Sequence, residues 1–262
     1  MKEARAEHKP YPTDLTDAQW SEIEPLYSGM RNRKWSNREL TNAVLYIVKT
    51  GCQWRQLPHD FPPYQTVYSF FSRGAKSGLW EKILAHLVEK ARKDAGKSAE
   101  PHYALIDSQS VKTVADNEKR GIDGGKKAKG RKRHAVIDTM GNLLGIVVHA
   151  ANIHDTKSGI LAAQKACKKY PSIQAFCADA GYRGTFIDEV NQQLRRRVDI
   201  SEKIKPHEWE KLPWRWIVER TFTWMNAARR VRHSSACIYQ DGGCSSEIFV
   251  AILPGKEPVV GT

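Results

Sequence analysis

The sequence predicts an α/β protein: a mixed sheet flanked by helices, preceded by a small all-helical domain. Three observations carry the expectation. Before residue 95 the apolar residues recur at helical spacing, with capping residues ahead of the first two runs. From residue 103 onward, short apolar runs of strand length alternate with helical ones, a pattern that builds a sheet with helices on its faces. Between the two lies a polar stretch, DAGKSAEP at 94–101, with the composition of a linker.

Residues 1–14 are polar and read as a flexible tail, and the helical domain is expected over 15–95. Thr16 is placed to cap DAQWSEIEPLY, where Trp20, Ile23 and Leu26 share a face. RNRK at 31–34 is a basic loop. Ser36 is placed to cap a second helix carrying Leu40, Ala43, Val44, Tyr46, Ile47 and Val48, which Gly51 stops. Trp54, Leu57, Pro58 and FPP at 61–63 make a rigid aromatic turn. TVYSFF at 66–71 begins a third helix, and a fourth runs from about Gly78 to Ala95. Helices joined by a tight glycine-containing turn, with basic loops, fit a helix-turn-helix-like DNA-binding module. A helical packing or dimerisation domain fits the same pattern.

After a linker at 96–102, the second domain is expected over 103–230. The run 103–106 is compact and apolar and ends in Asp107. The runs 133–138 and 143–150 flank Thr139-Met140-Gly141-Asn142 and read as a hairpin. Residues 155–169 are helical, and 173–178 form another apolar strand, again ending in an acid, Asp179. Gly181 and Gly184 bracket a turn into a helix at 185–194, and 198–200 is a short strand. The last helix is PWRWIVERTFTWMNAARR, 213–230. Pro213 suits its first position. Trp214, Ile217, Val218, Phe222 and Met225 form its apolar stripe, with Arg215, Glu219, Asn226 and Arg230 along one flank. Beyond it, 231–262 contains breakers at Gly242, Gly243 and Pro254.

Of 262 residues, 40% are apolar and 27% charged, which fits one large or two modest globular domains. Lys and Arg number 42 against 29 Asp and Glu, a formal charge of +13. Such an excess points to a polyanionic partner, nucleic acid first, although a ribosome or an anionic membrane surface would select the same sign. No window of about 18 uninterrupted apolar residues exists, which excludes a spanning helix. The polar start, MKEARAEHKPYPTD, lacks the apolar core of a secretory signal. The five cysteines, Cys52, Cys167, Cys177, Cys237 and Cys244, are widely spaced and form no CxxC pair. Neither a disulfide framework nor a zinc site is indicated, and a cytoplasmic protein with reduced thiols is expected.

Three carboxylates stand out by position. Asp107 and Asp179 end apolar strands of the kind buried inside a sheet, and ligand sites of open α/β sheets gather at the carboxyl ends of strands. Glu219 can join them from the helix packed on the sheet. Three crowded carboxylates repel unless a cation sits among them. Hard oxygen ligands suit Mg²⁺, and metal ions held by acids can activate the attacking oxygen and stabilise the leaving one at phosphorus. The residue types therefore point to phosphoryl transfer on nucleic acid. Plainer roles compete: an Arg215–Glu219 ion pair within the helix, a turn cap for Asp107 and an Asx contact for Asp179. Asp138 reads as the head of a hairpin turn, and Asp155 as the N-cap of the helix it precedes.

The stretch from Lys112 to Arg133 holds nine Lys and Arg against three acids, a net +6, with glycines at 121, 124, 125 and 130. It reads as a flexible loop able to mould to phosphates; a solvated loop without a partner has the same composition. Arg195, Arg196, Arg197, Lys203 and Lys205 form a second basic segment. Trp209, Trp214, Trp216 and Trp224 cluster near the last helix. Trp214 reads as core, while Trp216 and Trp224 fall off the centre of the stripe, where edge packing or stacking on a displaced base would both suit them.

Several of these segments, in order, resemble transposases of bacterial insertion sequences. They are LIDSQSVKT (105–113), GGKKAKGRKRHAVIDTMGNLLG (124–145), ANIHDTKSG (151–159), ADAGYRG (178–184) and RWIVERTFTWMN (215–226). The resemblance is to the DDE class, in the group named for insertion sequence five. LTDAQWSEIEPL (15–26) and TGCQWRQLPHDFPPYQTVYSFF (50–71) are similar to the helical domain that precedes the catalytic core in that group. The resemblance implies an RNase H-like core and a catalytic, metal-holding triad at Asp107, Asp179 and Glu219. It implies Mg²⁺-dependent cleavage at terminal inverted repeats and strand transfer into target DNA, with Mn²⁺ able to substitute. In that group, water attacks to free a 3′-hydroxyl, which then attacks the target. Double-stranded DNA is the implied partner, the nucleoid the implied place, and synapsis of two ends implies a homodimer or larger assembly. Lys112, Lys126, Lys127, Lys129, Arg131, Lys132, Arg133, Arg183, Arg215 and Arg230 are the expected DNA contacts.

The group's Tyr-x2-Arg-x3-Glu-x6-Lys signature is met at Arg215 and Glu219, while Leu212 and Asn226 occupy its Tyr and Lys positions. After Arg232 the chain departs from the apolar helix usual in relatives. That departure keeps open a second reading, a catalytically inactive DNA-binding remnant or a repressor of transposition. A structure-specific nuclease on the same core is a third.

Overall fold

The structure, a computed structural model, describes residues 9–29, 34–112, 121–124, 127–201 and 214–232. These fall into two compact units. One takes the described residues up to Leu84 together with Ala227–Val231, and the other takes those of Ala85–Asn226.

The first unit is helical. It contains α1 (Asp17–Ile23), α2 (Asn37–Thr50), α3 (Tyr64–Lys76) and the first part of α4 (Leu79–Asp94). Thr16 and Ser36 cap α1 and α2 as their sequences predict. Each forms a reciprocal capping box, with Gln19 and Glu39 respectively. α1 is shorter than its apolar spacing suggests and tightens into a 3₁₀ turn at Glu24–Tyr27, because Pro25 has no N–H to continue the ladder. Leu40, Val44, Ile47, Val67, Phe70, Phe71 and Trp80 fill the core. Trp80 donates its indole N–H to the Phe71 carbonyl at 3.0 Å.

The second unit is built on a six-stranded sheet of β1 (Tyr103–Lys112), β2 (Gly121–Asp123), β3 (Ala128–Asp138), β4 (Leu143–Ala150), β5 (Ala175–Asp179) and β6 (Arg197–Ser201). β1 pairs antiparallel with β3 on one side and parallel with β5 on the other, and β5 pairs parallel with β6. The far edge of β3 is shared by β2 and β4, both antiparallel. An antiparallel meander that continues into two parallel strands is the RNase H-like arrangement. α5 (Asp155–Lys169) crosses from β4 to β5, and α6 (Thr185–Glu189) runs through a π turn into β6. α7 (Arg215–Asn226) closes the unit and is followed by the single turn α8 (Arg229–Arg232). Pro213 lies outside the described residues.

Two expectations change. β1 does not stop at Asp107; it continues to Lys112, because β3 pairs with it as far as Lys112 opposite Gly130, while the register with β5 runs to Ile106 opposite Ala178. The basic stretch after it is not a loop throughout: Gly121–Asp123 and Ala128–Asp138 are strands. Its charged side chains conceal the alternation, since Arg131, Lys132, Arg133 and His134 are all buried.

The two faces of the sheet are distinct. Lys132 and Asp155 of α5 meet, and the Gly145 backbone lies against Ala166, so α5 covers one face. Arg133 reaches Asn226 and Tyr103 lies against Trp214, so α7 covers the other. Strand alternation then puts Tyr103, Leu105, Asp107 and Gln109 on the α7 face, and Ala104, Ile106, Ser108 and Ser110 on the α5 face. Among the described residues no helix is long and apolar enough to cross a membrane.

Candidate active site

Asp107 and Asp179 stand abreast. The parallel register pairs Leu105 with Cys177 and Ile106 with Ala178, and one step further brings the two acids level. Both belong to the α7 face: Asp107 by alternation from Tyr103, and Asp179 by alternation from Cys177, whose side chain hydrogen-bonds Tyr103. Asp107 is half-buried, and its Oδ1 accepts the Ser108 N–H at 2.6 Å. Asp179 is exposed, and its Oδ1 accepts the Gly181 N–H at 3.0 Å, capping the 3₁₀ turn Ala180–Tyr182. The Asx role and the strand-end position thus coexist in one residue. Asp107 follows the last rung with β5 and sits mid-strand with respect to β3.

α7 carries Glu219. Ile217, Val218, Phe222 and Met225 are buried as their spacing predicts, and Thr221 joins them. One end of the helix is marked by the Trp214 ring, 6.1 Å from that of Tyr103. The other is marked by Asn226, which accepts from Arg133 at 2.6 Å, beside Gln109. Tyr103 to Gln109 spans ~20 Å of strand, and Trp214 to Asn226 spans ~18 Å of helix. Glu219 lies between these two contacts along α7. Glu219 is exposed on the flank shared with Asn226.

Beneath the acids, on the α5 face, lies a buried polar cluster that the sequence did not announce. The Tyr182 hydroxyl is 2.8 Å from His134 Nδ1, and both residues are fully buried. Burial pushes that hydroxyl well above its ordinary range, and the charges of Asp107, Asp155 and Asp179 add to the rise, while a hydrogen bond with Ser108 opposes it. Lys132 pairs with Asp155 at 2.9 Å and with Asp123 at 3.2 Å, and Asp123 also accepts from Ser110 at 2.6 Å. Asp155 is therefore not the N-cap of α5. His154 caps it, accepting the Thr156 N–H, and Asp155 turns inward to its lysine. Asp138 does head its turn, accepting from Met140 N and Asn142 N, both at 2.8 Å.

The basic residues separate by burial. Lys112, Lys127, Lys129 and Arg183 are exposed. Arg131, Lys132 and Arg133 are buried in β3, Lys132 between two acids and Arg133 against Gln109 and Asn226. They do not stand in the flexible loop expected of them, because strand pairing draws them into the sheet. Arg230, in the helical unit, donates to the Cys52 carbonyl at 3.3 Å and faces the Trp54 ring. Lys126 and the side chain of Arg215 lie outside the described residues. Trp216 is 51% exposed, and Trp224 is half-buried. The Arg220 guanidinium lies 4.6 Å from each of their rings and donates to the Met140 carbonyl at 2.9 Å. Edge packing around an arginine is thus the role this structure gives them.

Hard carboxylate oxygens at the edge of a sheet fit Mg²⁺ or Mn²⁺ as a donor set. Among the described residues, no group of three or more His, Cys, Asp or Glu side chains is gathered closely enough to hold a metal ion as it stands.

The mixed sheet flanked by helices is the frame on which DDE-type enzymes of nucleic-acid rearrangement are built, and the family matches place the chain in that class. The chain belongs to the DDE transposase family: the family described as "Transposase DDE domain" matches residues 100–239, more than half of its 262. The family described as "Putative transposase of IS4/5 family" matches residues 15–84. The chain is 27% identical over 117 residues to an uncharacterized 16.2 kDa protein of insertion element IS402 from Burkholderia cepacia, covering 41% of this chain and 78% of that protein. It is 28% identical over 102 residues to the uncharacterized protein y4sN from Sinorhizobium fredii, covering 37% and 75% respectively. Similar solved structures include the catalytic core domain of BIV integrase, with a TM-score of 0.36 and 10% identity over 58% of this chain and 80% of that one. A piggyBac transposase synaptic complex with hairpin DNA gives 0.37 and 9% over 74% and 48%.

Proposed function

We propose that this transposase cuts DNA at the terminal inverted repeats of its insertion sequence and joins the freed ends to target DNA, with Asp107, Asp179 and Glu219 as its catalytic acids. The observation that carries the reading is the level placement of Asp107 and Asp179 on neighbouring parallel strands, on the face that α7 covers. The three carboxylates would close around Mg²⁺, with Mn²⁺ as a substitute. When bound, the metal would supply a Lewis acid for the phosphate and lower the pKa of an attacking water.

The residues of the chain do the rest. The Gly181 N–H holds one oxygen of Asp179. The buried α7 stripe packs the helix that bears Glu219, the third acid of this reading, into the unit. Exposed Lys112, Lys127, Lys129 and Arg183 neutralise phosphates of double-stranded DNA, contacts that position without reading sequence. The helical domain, drawn from the sequence over 15–95, recognises the repeats, and the core over 103–230 cuts them. Two ends brought together call for at least a homodimer.

Purified protein mixed with terminal-repeat DNA and Mg²⁺ should release a 3′-hydroxyl end, and Asp107→Ala should abolish it. Equal cleavage by that variant would sink the reading. The departure from the family pattern after Arg232 favours a second reading, a DNA-binding remnant or repressor. It predicts repeat-specific binding with no cleavage in Mg²⁺ or Mn²⁺.

A further inference from the structure

Tyr182 is wholly buried three residues after Asp179, in the turn that Asp179 caps. Its hydroxyl makes two contacts on the α5 face. One is with His134 of β3 at 2.8 Å, and the other is with the hydroxyl of Ser108, the residue next to Asp107. Ser108 and His134 are register partners, so the tyrosine bonds across one rung of the β1–β3 ladder. Its ring has no room to move. A Cβ at Gly159 would lie 2.6 Å from its Cε1, and Phe186 packs edge-on at 5.0 Å between centroids. The far side of the His134 ring is held as well, stacked 4.9 Å from His149, with Nε2 3.8 Å from the Asp155 carboxylate that Lys132 anchors.

We propose that Tyr182 is a positioning residue, tying the turn after Asp179 to β1 beside Asp107 and so setting the gap between the two acids on the opposite face. The inference rests on the three-acid reading above. The β1–β5 register runs from Tyr103 opposite Ala175 to Ile106 opposite Ala178. The Tyr182 hydroxyl reaches β1 at Ser108, two residues past that rung. The plain alternative is a core tyrosine whose ring fills space. Phenylalanine would fill that space equally well, so the two roles separate in one substitution.

The test uses the full chain with Tyr182→Phe, Ser108→Ala and Asp107→Ala. Binding of Mn²⁺ alone is read by paramagnetic resonance of the free ion, the Mg²⁺ dependence of cleavage is read separately, and circular dichroism reports folding. Removing a group that orients metal ligands typically weakens metal affinity ~10–100-fold. That weakening is expected in Tyr182→Phe and Ser108→Ala, with cleavage recovering as Mg²⁺ is raised and repeat binding unchanged. A folded Tyr182→Phe chain with the Mn²⁺ affinity of the parent overturns the proposal. If Tyr182→Phe does not fold, Ser108→Ala decides by the same comparison, because it removes the partner hydroxyl and leaves the ring in place. Asp107→Ala separates the two layers. Loss of Mn²⁺ binding there, with Tyr182→Phe like the parent, removes this inference alone. An Asp107→Ala chain that still binds Mn²⁺ and still cleaves removes the three-acid reading itself.

Discussion

Arg92 and Asp138 meet at 2.8 Å with both side chains almost wholly out of water, which fastens the end of α4 to the turn between β3 and β4. The guanidinium also donates to the carbonyls of Ser98, at 2.7 Å, and Glu100, at 3.3 Å. It thereby organises the segment that leads into β1. Arg92→Ala leaves a buried carboxylate without its cation and should cost ~3–5 kcal/mol of unfolding free energy. Arg92→Lys should recover only part of this, since an ammonium cannot serve three acceptors in a planar fork. Urea unfolding of the three proteins measures both effects.

Gly74 is packed against the Trp80 indole so closely that an added Cβ would lie 2.5 Å from the ring. Trp80 cannot retreat, being fully buried and bonded to the Phe71 carbonyl. Gly74→Ala should therefore destabilise the helical unit by ~1–3 kcal/mol, the usual cost of overpacking, despite alanine's better helix propensity. A Gly74→Ala, Trp80→Phe double variant should lose less than the sum of the two single changes, as read from thermal or urea midpoints.

The helical unit was legible because its signals are local: Thr16 and Ser36 find their capping partners three residues on. Asp107, Asp179 and Glu219, the acids of the proposal, each border an apolar run, a contrast visible without knowledge of the neighbours. The buried cluster was not legible, for a physical reason. Lys132 is satisfied by Asp123 and Asp155, nine and 23 residues away, so a run of cations reads as a loop until the sheet brings the counter-ions in. Arg92 and Asp138 are likewise joined only by the fold. Arg220 carries no local signal either, since the Met140 carbonyl it serves lies 80 residues earlier in the chain.

His149 sets a pH dependence. Burial holds its imidazole below the ordinary value of 6.5, the Lys132 charge adds to this, and the Ala150 carbonyl and Asp155 oppose it. Above that value both folded and unfolded chains carry the neutral ring, and the residue contributes no slope. As pH falls through 6.5 the unfolded chain takes up a proton that folded His149 resists, so stability drops until the lowered folded value is passed. His149→Gln keeps a donor for the Ala150 carbonyl and cannot titrate. It should lose less stability than the parent between pH 7.5 and 5.5, compared by urea midpoints; an identical loss assigns the slope to other groups.

Lys129 and Lys132 lie three residues apart in one strand, and opposite outcomes are expected of them. Lys129 is exposed, opposite Ile122 of β2. If it meets a phosphate, Lys129→Ala should leave folding intact and weaken binding of repeat and unrelated duplexes alike. The slope of log affinity against log salt should fall by about one unit. Lys132 is buried against two carboxylates. Lys132→Ala strands both charges and should cost ~3–5 kcal/mol of stability, and Lys132→Met should be no better, since the carboxylates still lack a cation. Binding isotherms at several salt concentrations, paired with urea unfolding, separate the two. A stable Lys132→Ala chain with a reduced salt slope would mean that this lysine reaches DNA after all and that its ion pairs are not what holds β2 and α5 to β3.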